Sequence, residues 1–325
     1  MTSSGDFLLT VLSGGTGTSK LLQGLSQILK PEELSVIVNT GEDVEISGLN
    51  VSPDLDTVIY ALAGIINEET WYGINGDTFF CYEALKSLGQ VELLRIGDRD
   101  RATKLYRTLM LKRGKKLSTI SKELCEKFGV RANVMPMSDE RVQTRISTEN
   151  GVMTFHEFWV ARKASDRVLG ISFDGADNAK PAPGVLEAIE AADSILIGPS
   201  NPITSIGPIL AVEEIREALS RDCGRVVAVS PIVGDAPISG PARVLMQGLG
   251  HEVSSLGVAR IYRGVVGTLV MNNTDEKFGP SIDELGIKTV FMDTLMPDRA
   301  ARIRLARELL DILTNVSMNK SCIFD

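Results

Sequence analysis

The sequence predicts an α/β protein with a doubly wound, mostly parallel, Rossmann-like sheet and an inserted helical and hairpin lobe. Three observations predict this fold class. Runs typical of buried strands alternate with helical spacings, the first strand leads into a glycine-rich turn and a helix, and an Asn-Gly pair between two strand-like segments interrupts the alternation. We expect a single domain over residues 1–316, with the lobe inserted at about 68–165 and a disordered tail over 317–325.

The composition is that of an ordinary globular protein. The chain has 325 residues, of which 43% are hydrophobic, and a formal net charge of -8 that argues against nonspecific binding to nucleic acid. Its four cysteines lack metal-ligand spacing, and no uninterrupted apolar run approaches the roughly 20 residues that a membrane helix needs. We therefore expect a cytoplasmic protein with no nucleic-acid partner and no membrane segment.

A glycine-rich turn follows the first predicted strand, Phe7 to Leu12, and precedes the apolar spacing of a helix. Glycines allow backbone N–H groups to converge on a ligand, and a helix start adds partial positive charge, so the junction suits phosphate. The pattern departs from both standard phosphate-binding motifs, and a tight turn needed only for packing is the alternative. The candidate phosphate-binding residues are Gly14, Gly15, Thr16, Gly17 and Lys20.

The second predicted strand, Glu33 to Val38, ends in a polar loop that begins at Asn39 and contains Asp43. Ligands of open α/β sheets gather beyond the carboxyl ends of the strands, so we expect this loop near the glycine-rich turn. Asn39 and Asp43 are therefore candidate site residues, although both residue types also form turns by bonding to their own backbone.

Asp54 and Asp56 lie in the predicted first turn of a helix that begins after Ser52, with Pro53 at its first position. Acids in that place often only complement the helix dipole. The functional alternative is a site for Mg²⁺ or for a substrate hydroxyl, because magnesium chemistry uses oxygen ligands near a bound polyphosphate. The residues alone do not decide between these interpretations.

A locally basic region follows inside this acidic protein. A predicted helix from Asp77 to Gly89, capped by Asp77, precedes a segment with Arg95 and Arg99 around a glycine, and the next helix is also basic. The region is either a funnel for anionic substrates or, above all for the lysines after Leu111, a solvated helix face. The basic residues of that next helix and its end are Lys104, Arg107, Lys112, Arg113, Lys115 and Lys116.

The inserted lobe is predicted to contain a hairpin. Leu117 to Gly129 has the pattern of a capped helix, and Arg141 to Arg162 that of two strands joined at Glu149-Asn150-Gly151. A hairpin inserted into an α/β chain suggests a lobe that covers the site. His156 and His251 have no partners at metal-ligand spacing, so we expect structural roles for both.

A second anion-binding turn is predicted in the carboxyl-terminal half. A strand from Ala192 to Gly198 leads into a polar turn with Ser200 and Asn201 before a helix, and two such turns suit a ligand with two phosphates. The strand from Arg225 to Ser230 leads into a proline-rich loop, for which we expect a structural role. The remaining segments are predicted to be scaffold: strands near 265–271 and 289–292 and a closing helix over 297–316.

Four stretches of the chain match a known family in the same order. They are Ser13 to Gly17 with Lys20, Ser52 to Thr57, Gly97 to Asp100, and Gly198 to Ile206. On these motifs the chain resembles the 2-phospho-L-lactate transferase family, which builds the side chain of the deazaflavin coenzyme F-420. The resemblance runs from about Phe7 to Leu313.

The resemblance implies Mg²⁺-dependent transfer of the 2-phospholactyl group of lactyl-2-diphospho-5′-guanosine to the deazaflavin alcohol FO, with release of GMP, by a cytoplasmic homodimer. It implies that Asp56 and Arg95 contact FO. The nucleotide contacts that it implies are Gly14, Gly15, Thr16, Gly17, Lys20, Ser200 and Asn201.

Our hypothesis is that Asp54 and Asp56 organise Mg²⁺ and the acceptor hydroxyl. Either acid is alternatively the base that accepts the hydroxyl proton. Positioning and charge neutralisation would supply most of the catalysis, because attack on a diphosphate releases negative charge. We expect Asp56→Ala to slow transfer greatly and to leave the fold intact.

Two other functions compete with this one. Relatives of the gluconeogenesis-factor type share the fold and a similar glycine-rich turn, so a nonenzymatic nucleotide-sugar-binding regulator is the alternative. A nicotinamide dehydrogenase fits less well, because the glycine spacing differs and no clear ribose-binding acid follows the second strand. Whether the donor carries lactate or its enolpyruvyl counterpart, the number of metal ions and the dimer geometry are not determined by the sequence.

Overall fold

A seven-stranded parallel sheet forms the centre of the molecule in the computed structural model, which describes residues 7–321, with side chains to Met318. Its strand order is β14-β13-β10-β9-β1-β2-β5. The strands of the central sheet and of the smaller sheets are, in chain order, β1 Leu9–Ser13, β2 Leu34–Val38, β3 Val44–Ile46, β4 Leu49–Val51, β5 Asn133–Pro136, β6 Gln143–Thr148, β7 Gly151–Thr154, β8 Val168–Asp174, β9 Ser194–Ile197, β10 Val226–Val229, β11 Ile232–Val233, β12 Ala236–Pro237, β13 Thr268–Asn272 and β14 Lys288–Met292. The predicted doubly wound α/β class is confirmed.

Helices cover both faces of this sheet. They are α1 Gly15–Leu25, α2 Pro53–Leu62, α3 Phe80–Ser87, α4 Asp98–Lys112, α5 Leu117–Phe128, α6 Val185–Ala191, α7 Gly207–Ala211, α8 Glu213–Ser220, α9 Ala242–Gly248, α10 Ser255–Ile261, α11 Gly279–Asp283 and α12 Arg299–Ser321.

Each face of the sheet has its own apolar core, because strands buried on both sides alternate their side chains between the faces. Val11 of β1 belongs to the core that contains Leu22 of α1 and Leu305 of α12. The next residue, Leu12, belongs to the opposite core, with Leu245 of α9. The alternation within β1 thus places α1 and α12 together on one face.

The strand order reverses at β1, whose neighbours are β2 on one side and β9 on the other. In open α/β folds, ligands bind at such a reversal, in the crevice beyond the carboxyl ends of the strands. The glycine-rich turn follows β1, and the turn with Ser200 follows β9. The fold therefore places the two predicted anion-binding turns side by side.

Glycines permit the contact between these turns. A Cβ on Gly17 would lie 1.9 Å from the carbonyl oxygen of Pro199, and a Cβ on Gly198 would lie 2.2 Å from Oγ1 of Thr18. Gly15 has a φ of 58°, which favours glycine. The packing interpretation therefore holds for Gly17 and does not exclude a ligand at the same turn.

Part of the range predicted for the inserted lobe, about 68–165, belongs to the central sheet. β5 lies inside that range, but its backbone pairs with β2 at the edge of the central sheet. This strand is short and ends in proline, which hides it from pattern analysis. Before it lie α3, α4 and α5, and after it lies a three-stranded antiparallel sheet in the order β7-β6-β8.

The predicted hairpin at Glu149–Gly151 is confirmed, since β6 and β7 pair in antiparallel register around it. Its second strand is shorter than predicted. β7 ends at Thr154, and a π-helical turn, Glu157–Ala161, follows, so His156 lies beyond the strand. The third strand, β8, was not predicted.

α3 and α4 exchange their capping acids. The carboxylate of Asp77 accepts hydrogen bonds of 2.9 Å from the backbone N–H groups at 99–100 in α4. The carboxylate of Asp98 accepts bonds of 2.9 Å from those at 80–81 in α3. The prediction that Asp77 caps the helix that follows it is wrong, because its carboxylate faces the first turn of α4.

The closing helix, α12, continues through Ser321, beyond its predicted end at Val316. Of the disordered tail predicted over 317–325, residues 317–321 are therefore helical, and 322–325 lie outside the described residues, as do 1–6. Within residues 7–321, we find no helix with the length and apolar character needed to cross a membrane.

Candidate active site

A cavity of about 840 Å³ lies beyond the carboxyl ends of β1, β2, β9 and β10, and the loops after all four strands contribute to its wall. Asn39 and Asp43, the candidates from the loop after β2, do not line it. Ten other site residues that the sequence predicts do line it, although they come from four distant parts of the chain. They are Gly14, Gly15, Thr16, Gly17, Lys20, Asp54, Asp56, Arg95, Ser200 and Asn201.

The two predicted anion-binding turns are joined by Ser200. Its Oγ donates a short hydrogen bond to the carbonyl oxygen of Gly14 and lies 2.7 Å from Oγ1 of Thr18. Asn201 is held through Oδ1, which accepts a 3.0 Å bond from the N–H of Ile203. Its Nδ2 is buried and has no hydrogen-bond partner among the described residues, so this amide group remains available to a ligand.

Asp54 lies on the cavity wall beneath the glycine-rich turn. Its Oδ2 accepts a 2.8 Å hydrogen bond from Nδ2 of Asn39, the residue that follows β2. Burial raises the pKa of Asp54 to about 6, against the opposing effect of hydrogen bonds from Asn39 and the backbone of Gly15. Asn39 thus contacts a cavity acid without lining the cavity, and its Oδ1 accepts a 2.8 Å bond from the N–H of Gly41, the turn-forming contact that is the alternative interpretation.

Asp56 is held by two cations from α4. Nη1 of Arg107 lies 3.1 Å from Oδ2, Nη2 of Arg107 makes a shorter contact with Oδ1, and Nζ of Lys104 lies 2.9 Å from Oδ2. Burial alone would raise the pKa of Asp56, but these cations outweigh burial and hold it below its usual value. Asp56 is therefore an ionised acceptor with a fixed orientation.

Lys104 extends this network to a third acid. Its Nζ also forms a short ion pair with Oδ1 of Asp100, one helical turn earlier, and the Tyr60 hydroxyl donates a 2.9 Å hydrogen bond to the same oxygen. All four side chains are buried, and Asp100 and Lys104 line the cavity with Asp56. Asp56 of α2 and the inner face of α4 thus form one connected polar wall.

The loop after β2 adds two buried acids whose raised pKa values favour the neutral, protonated form. Burial, followed by the charge of Asp54, raises the pKa of Glu42, which lines the cavity. Burial likewise raises the pKa of Asp43 to about 8. Oδ2 of Asp43 accepts a 2.6 Å bond from the Ser52 hydroxyl, but its Oδ1 is buried without a partner among the described residues.

Arg95 lies at the other end of the cavity, beside α3. Its guanidinium carbon is 3.9 Å from the ring centroid of Phe79 and 5.8 Å from that of Tyr82, which also lines the cavity. The side chain is 53% exposed, so it is accessible to a ligand. The structure gives Arg95 an aromatic setting that suits a flat ring system.

The basic helix divides into two parts. Its end is solvated as predicted, because Lys112, Arg113, Lys115 and Lys116 are exposed. Lys104 and Arg107, in contrast, are buried against the acids described above. His156 is also buried, and its Nε2 lies 2.9 Å from the carbonyl oxygen of Glu42, a structural contact at the cavity wall.

Sequence reasoning placed Lys104 and Arg107 either in a funnel for anionic substrates or on a solvated helix face, and it missed them and Asp100 as partners in a network around Asp56. The one indication in the sequence that these residues belong together was their spacing. Asp100, Lys104 and Arg107 recur at helical intervals on one face of α4. Their acidic partner in α2 is Asp56, so only the packing of α4 on α2 shows that this face of α4 is buried.

The predicted magnesium ligands have different surroundings. Among the described residues, no group of three or more His, Cys, Asp or Glu residues forms a metal site. Magnesium commonly takes only one or two carboxylates and completes its shell with substrate phosphates and water. Asp54 fits that role, since no ion pair within 7–321 engages it. Asp56 would first have to leave Arg107 and Lys104.

The sequence matches a family model described as 2-phospho-L-lactate transferase CofD over residues 9–304. Similar curated proteins include the 2-phospho-L-lactate transferases of Methanopyrus kandleri, Methanothermobacter thermautotrophicus and Methanocaldococcus jannaschii, which are 50%, 49% and 47% identical to this chain. These matches cover 94%, 93% and 94% of this chain and 97%, 97% and 98% of the respective relatives.

Solved structures similar to this one include a member of the upf0052 family from Bacillus halodurans. It superposes with a TM-score of 0.66 at 18% sequence identity, covering 94% of this chain and 100% of that chain. A second crystal structure from the same organism gives a TM-score of 0.61 at 20% identity. At these identities the likeness shows the fold alone.

Proposed function

The chain belongs to the 2-phospho-L-lactate transferase family, and on that basis we propose that it transfers the 2-phospholactyl group of lactyl-2-diphospho-5′-guanosine, or its enolpyruvyl analogue, to the deazaflavin FO. GMP is the second product, and the reaction is a step in coenzyme F-420 biosynthesis. One observation carries the proposal. Two anion-binding turns, a pair of aspartates and Arg95, which the sequence predicts separately, line one cavity.

The donor's diphosphate is assigned to the end of the cavity formed by the two turns. Backbone N–H groups at Gly14–Gly17, the start of α1 and the Lys20 ammonium supply positive charge there. The unpartnered amide of Asn201 adds a buried donor. Ser200 supports this arrangement indirectly, because its hydroxyl is engaged with the glycine-rich turn.

The acceptor is assigned to the end formed by Asp56 and Arg95. Arg107 keeps the Asp56 carboxylate ionised and fixed, so it can accept a hydrogen bond from a hydroxyl of the acceptor. The aromatic residues around Arg95 suit the deazaflavin ring. FO would then place its side-chain hydroxyl toward the diphosphate.

In the proposed reaction, the acceptor oxygen forms a bond to the phosphorus that carries the lactyl group. The bond from that phosphorus to the bridging oxygen breaks, and the bridging oxygen leaves with GMP. The hydroxyl proton passes to a base, for which Asp54 is the better candidate, because Asp56 is held ionised by two cations and the pKa of Asp54 is about 6. The cations and N–H groups at the two turns neutralise the charge on the leaving phosphate.

Mg²⁺ is part of the proposal, with Asp54 as the residue that would hold it. When bound, Mg²⁺ would neutralise charge on the diphosphate and help to orient it. Glu42 and Asp43 interact with Asp54, but burial raises the pKa of both and favours their neutral forms, so a divalent cation at this position would favour their ionisation. Asp54 therefore has two candidate roles, metal ligand and base, as the sequence predicts.

The first test is a titration of the purified protein with FO, followed by the fluorescence of the deazaflavin, with and without Mg²⁺ and GDP. We expect saturable binding that Asp56→Asn weakens, followed by turnover with the guanosine donor. Binding of a nucleotide sugar without any binding of FO would instead favour the nonenzymatic regulator. A cytoplasmic homodimer is also proposed, and sedimentation analysis tests its oligomeric state.

A further inference from the structure

The Lys20 ammonium lies over the indole of Trp71, and Arg302 approaches the same ring. Nζ of Lys20 is 5.1 Å and the guanidinium carbon of Arg302 is 4.5 Å from the ring centroid. Trp71 is only 6% exposed, yet it lines the cavity beside Lys20. Both distances are within the range of favourable cation–π contacts, and tryptophan is the most effective ring.

Arg302 is itself held firmly. Its Nη1 donates hydrogen bonds of 2.7 Å to Oε1 of Gln23 and 2.8 Å to Oε2 of Glu68. Gln23 lies one turn after Lys20 on α1, and a Cβ on Gly24 would come within 2.3 Å of the carbonyl oxygen of Arg302. The absence of that Cβ lets α12 pack closely on α1. Three distant segments of the chain therefore meet around one ring.

The backbone of Trp71 is strained. Its φ is 58°, a value that is a genuine outlier for a bulky residue and costs free energy. Its N–H donates a 2.8 Å bond to the carbonyl oxygen of Asn67, which helps to hold this conformation. The conformation places the indole against both cations.

We propose that Trp71 and Arg302 are positioning residues that hold the Lys20 ammonium toward the cavity, where it binds the diphosphate of the donor. The inference rests on the proposed function, which gives Lys20 an anionic ligand. The ring attracts the ammonium and restricts a flexible side chain, and Arg302 contacts the same ring and helps to hold it in place.

The electrostatics of Lys20 agree with this arrangement. Burial, and then the charge of Arg302, lowers the pKa of Lys20. A bound diphosphate counteracts this lowering of the pKa of Lys20, because it supplies negative charge next to the ammonium. The positioned cation therefore gains more from an anionic ligand than an exposed lysine would.

The test measures GDP binding by calorimetry in the presence of Mg²⁺. Trp71→Leu is expected to weaken binding by about three- to tenfold, the value of a partly buried cation–π contact, and Trp71→Phe by less, because phenylalanine keeps a ring face. The decisive measurement repeats Trp71→Leu in a Lys20→Met protein. There we expect no further loss of GDP affinity, because the ammonium is already absent.

A matched control removes an aromatic ring under a different lysine. Nζ of Lys277 lies 4.9 Å from the ring of Phe278, which does not line the cavity. Phe278→Leu should leave GDP affinity unchanged. If Trp71→Leu does not fold, Trp71→Met, which fills the space without a ring, replaces it in both backgrounds.

Equal weakening by Trp71→Leu with and without Lys20 would overturn the inference and make Trp71 a packing residue only. That result would leave the proposed function standing, provided that the wild-type protein binds GDP and FO. If the wild-type protein binds no GDP, the proposed function and this inference are both wrong.

Discussion

Arg107 and Asp56 form a buried bidentate ion pair that joins α4 to α2, with Nη1 of Arg107 3.1 Å from Oδ2 of Asp56. Arg107 is 1% exposed and does not itself line the cavity. The orientation of a cavity acid is therefore set by a residue behind the cavity wall. Substitutions at Asp56 must accordingly be interpreted together with the charge of Arg107.

Arg107→Met is expected to lower the free energy of unfolding by about 3–5 kcal/mol, because it leaves a buried carboxylate without its main partner. This also changes the expectation that Asp56→Ala leaves the fold intact, since that substitution leaves Arg107 unpaired. The double variant Asp56→Asn with Arg107→Met should regain much of the stability but not FO binding. Urea unfolding and FO titration measure the two effects, and equal stability of all variants would contradict the prediction.

Asp54→Asn is expected to abolish the Mg²⁺-dependent part of GDP affinity and to slow turnover by at least about a hundredfold. FO binding should change little, because Asp56 and Arg95 keep their contacts. Calorimetry with GDP, in Mg²⁺ and then in excess chelator, measures the first effect. An unchanged response to Mg²⁺ would remove Asp54 from the proposed metal site.

Stability should fall as the pH rises from about 4 to 8, in part because of Asp43, whose pKa is raised to about 8 in the folded protein, chiefly by burial. An acid whose pKa is raised in the folded protein binds more protons there than in the unfolded chain. Its contribution to stability is therefore fully present below the unfolded pKa and is lost as the pH rises through the folded pKa. The charges of Asp54 and Asp56 also raise the pKa of Asp43, and the charge of Arg107 lowers it. Asp43→Asn should flatten the profile by on the order of 5 kcal/mol, because the pKa rises from 3.8 to about 8 and each unit corresponds to about 1.4 kcal/mol; thermal unfolding without metal measures the effect. A steeper profile would contradict this.

Gly17→Ala is expected to weaken both the fold and GDP binding, because its Cβ would lie 1.9 Å from the carbonyl oxygen of Pro199 and force the two turns apart. Overpacking of this kind typically costs about 1–3 kcal/mol. Gly170→Ala in β8 is the control, since a Cβ there meets nothing within 4 Å. Thermal unfolding and GDP calorimetry should show a clear loss for the first variant only. Equal behaviour of both would refute the close contact.

Asp98→Asn should expose the start of α3 to solvent exchange, because Asp98 accepts hydrogen bonds from the N–H groups at 80–81. Asp77→Asn should do the same at 99–100 in α4. Hydrogen exchange with mass spectrometry of the corresponding peptides measures the effect. Faster exchange in the helix that directly follows the changed residue, in either variant, would contradict the exchanged caps.

Much of the fold was predictable from local pattern. β1, β2, β9 and β10 are apolar runs that stand out from their flanking turns, and the hairpin at Glu149–Gly151 follows from the Asn-Gly pair. β5 and the exchange of caps between Asp77 and Asp98 were not predictable. A short strand at a sheet edge and a carboxylate that bonds to a backbone N–H group 17 residues away both depend on contacts that are distant in sequence.

The candidate site divides in the same way. The sequence could identify some candidates, because a strand end, a glycine-rich turn and a helix start occur in consecutive residues. These candidates are Gly14–Gly17, Lys20, Asp54 and Asp56. The partners of these groups were not. Arg107 and Lys104 look like surface charges in the sequence, and only the packing of α4 on α2 buries them against Asp56.

The sequence by itself determined the fold class, the glycine-rich turn after β1, the polar turn after β9 and the positions of the acids, since each depends on residue type at short spacing. Tertiary structure alone decided which ionisable groups form ion pairs and which buried acids have none. It alone also decided that Lys20 and Arg302 both contact the ring of Trp71. The physical reason is that desolvation and ion pairing depend on distances between segments, and those distances exist only after the chain has folded.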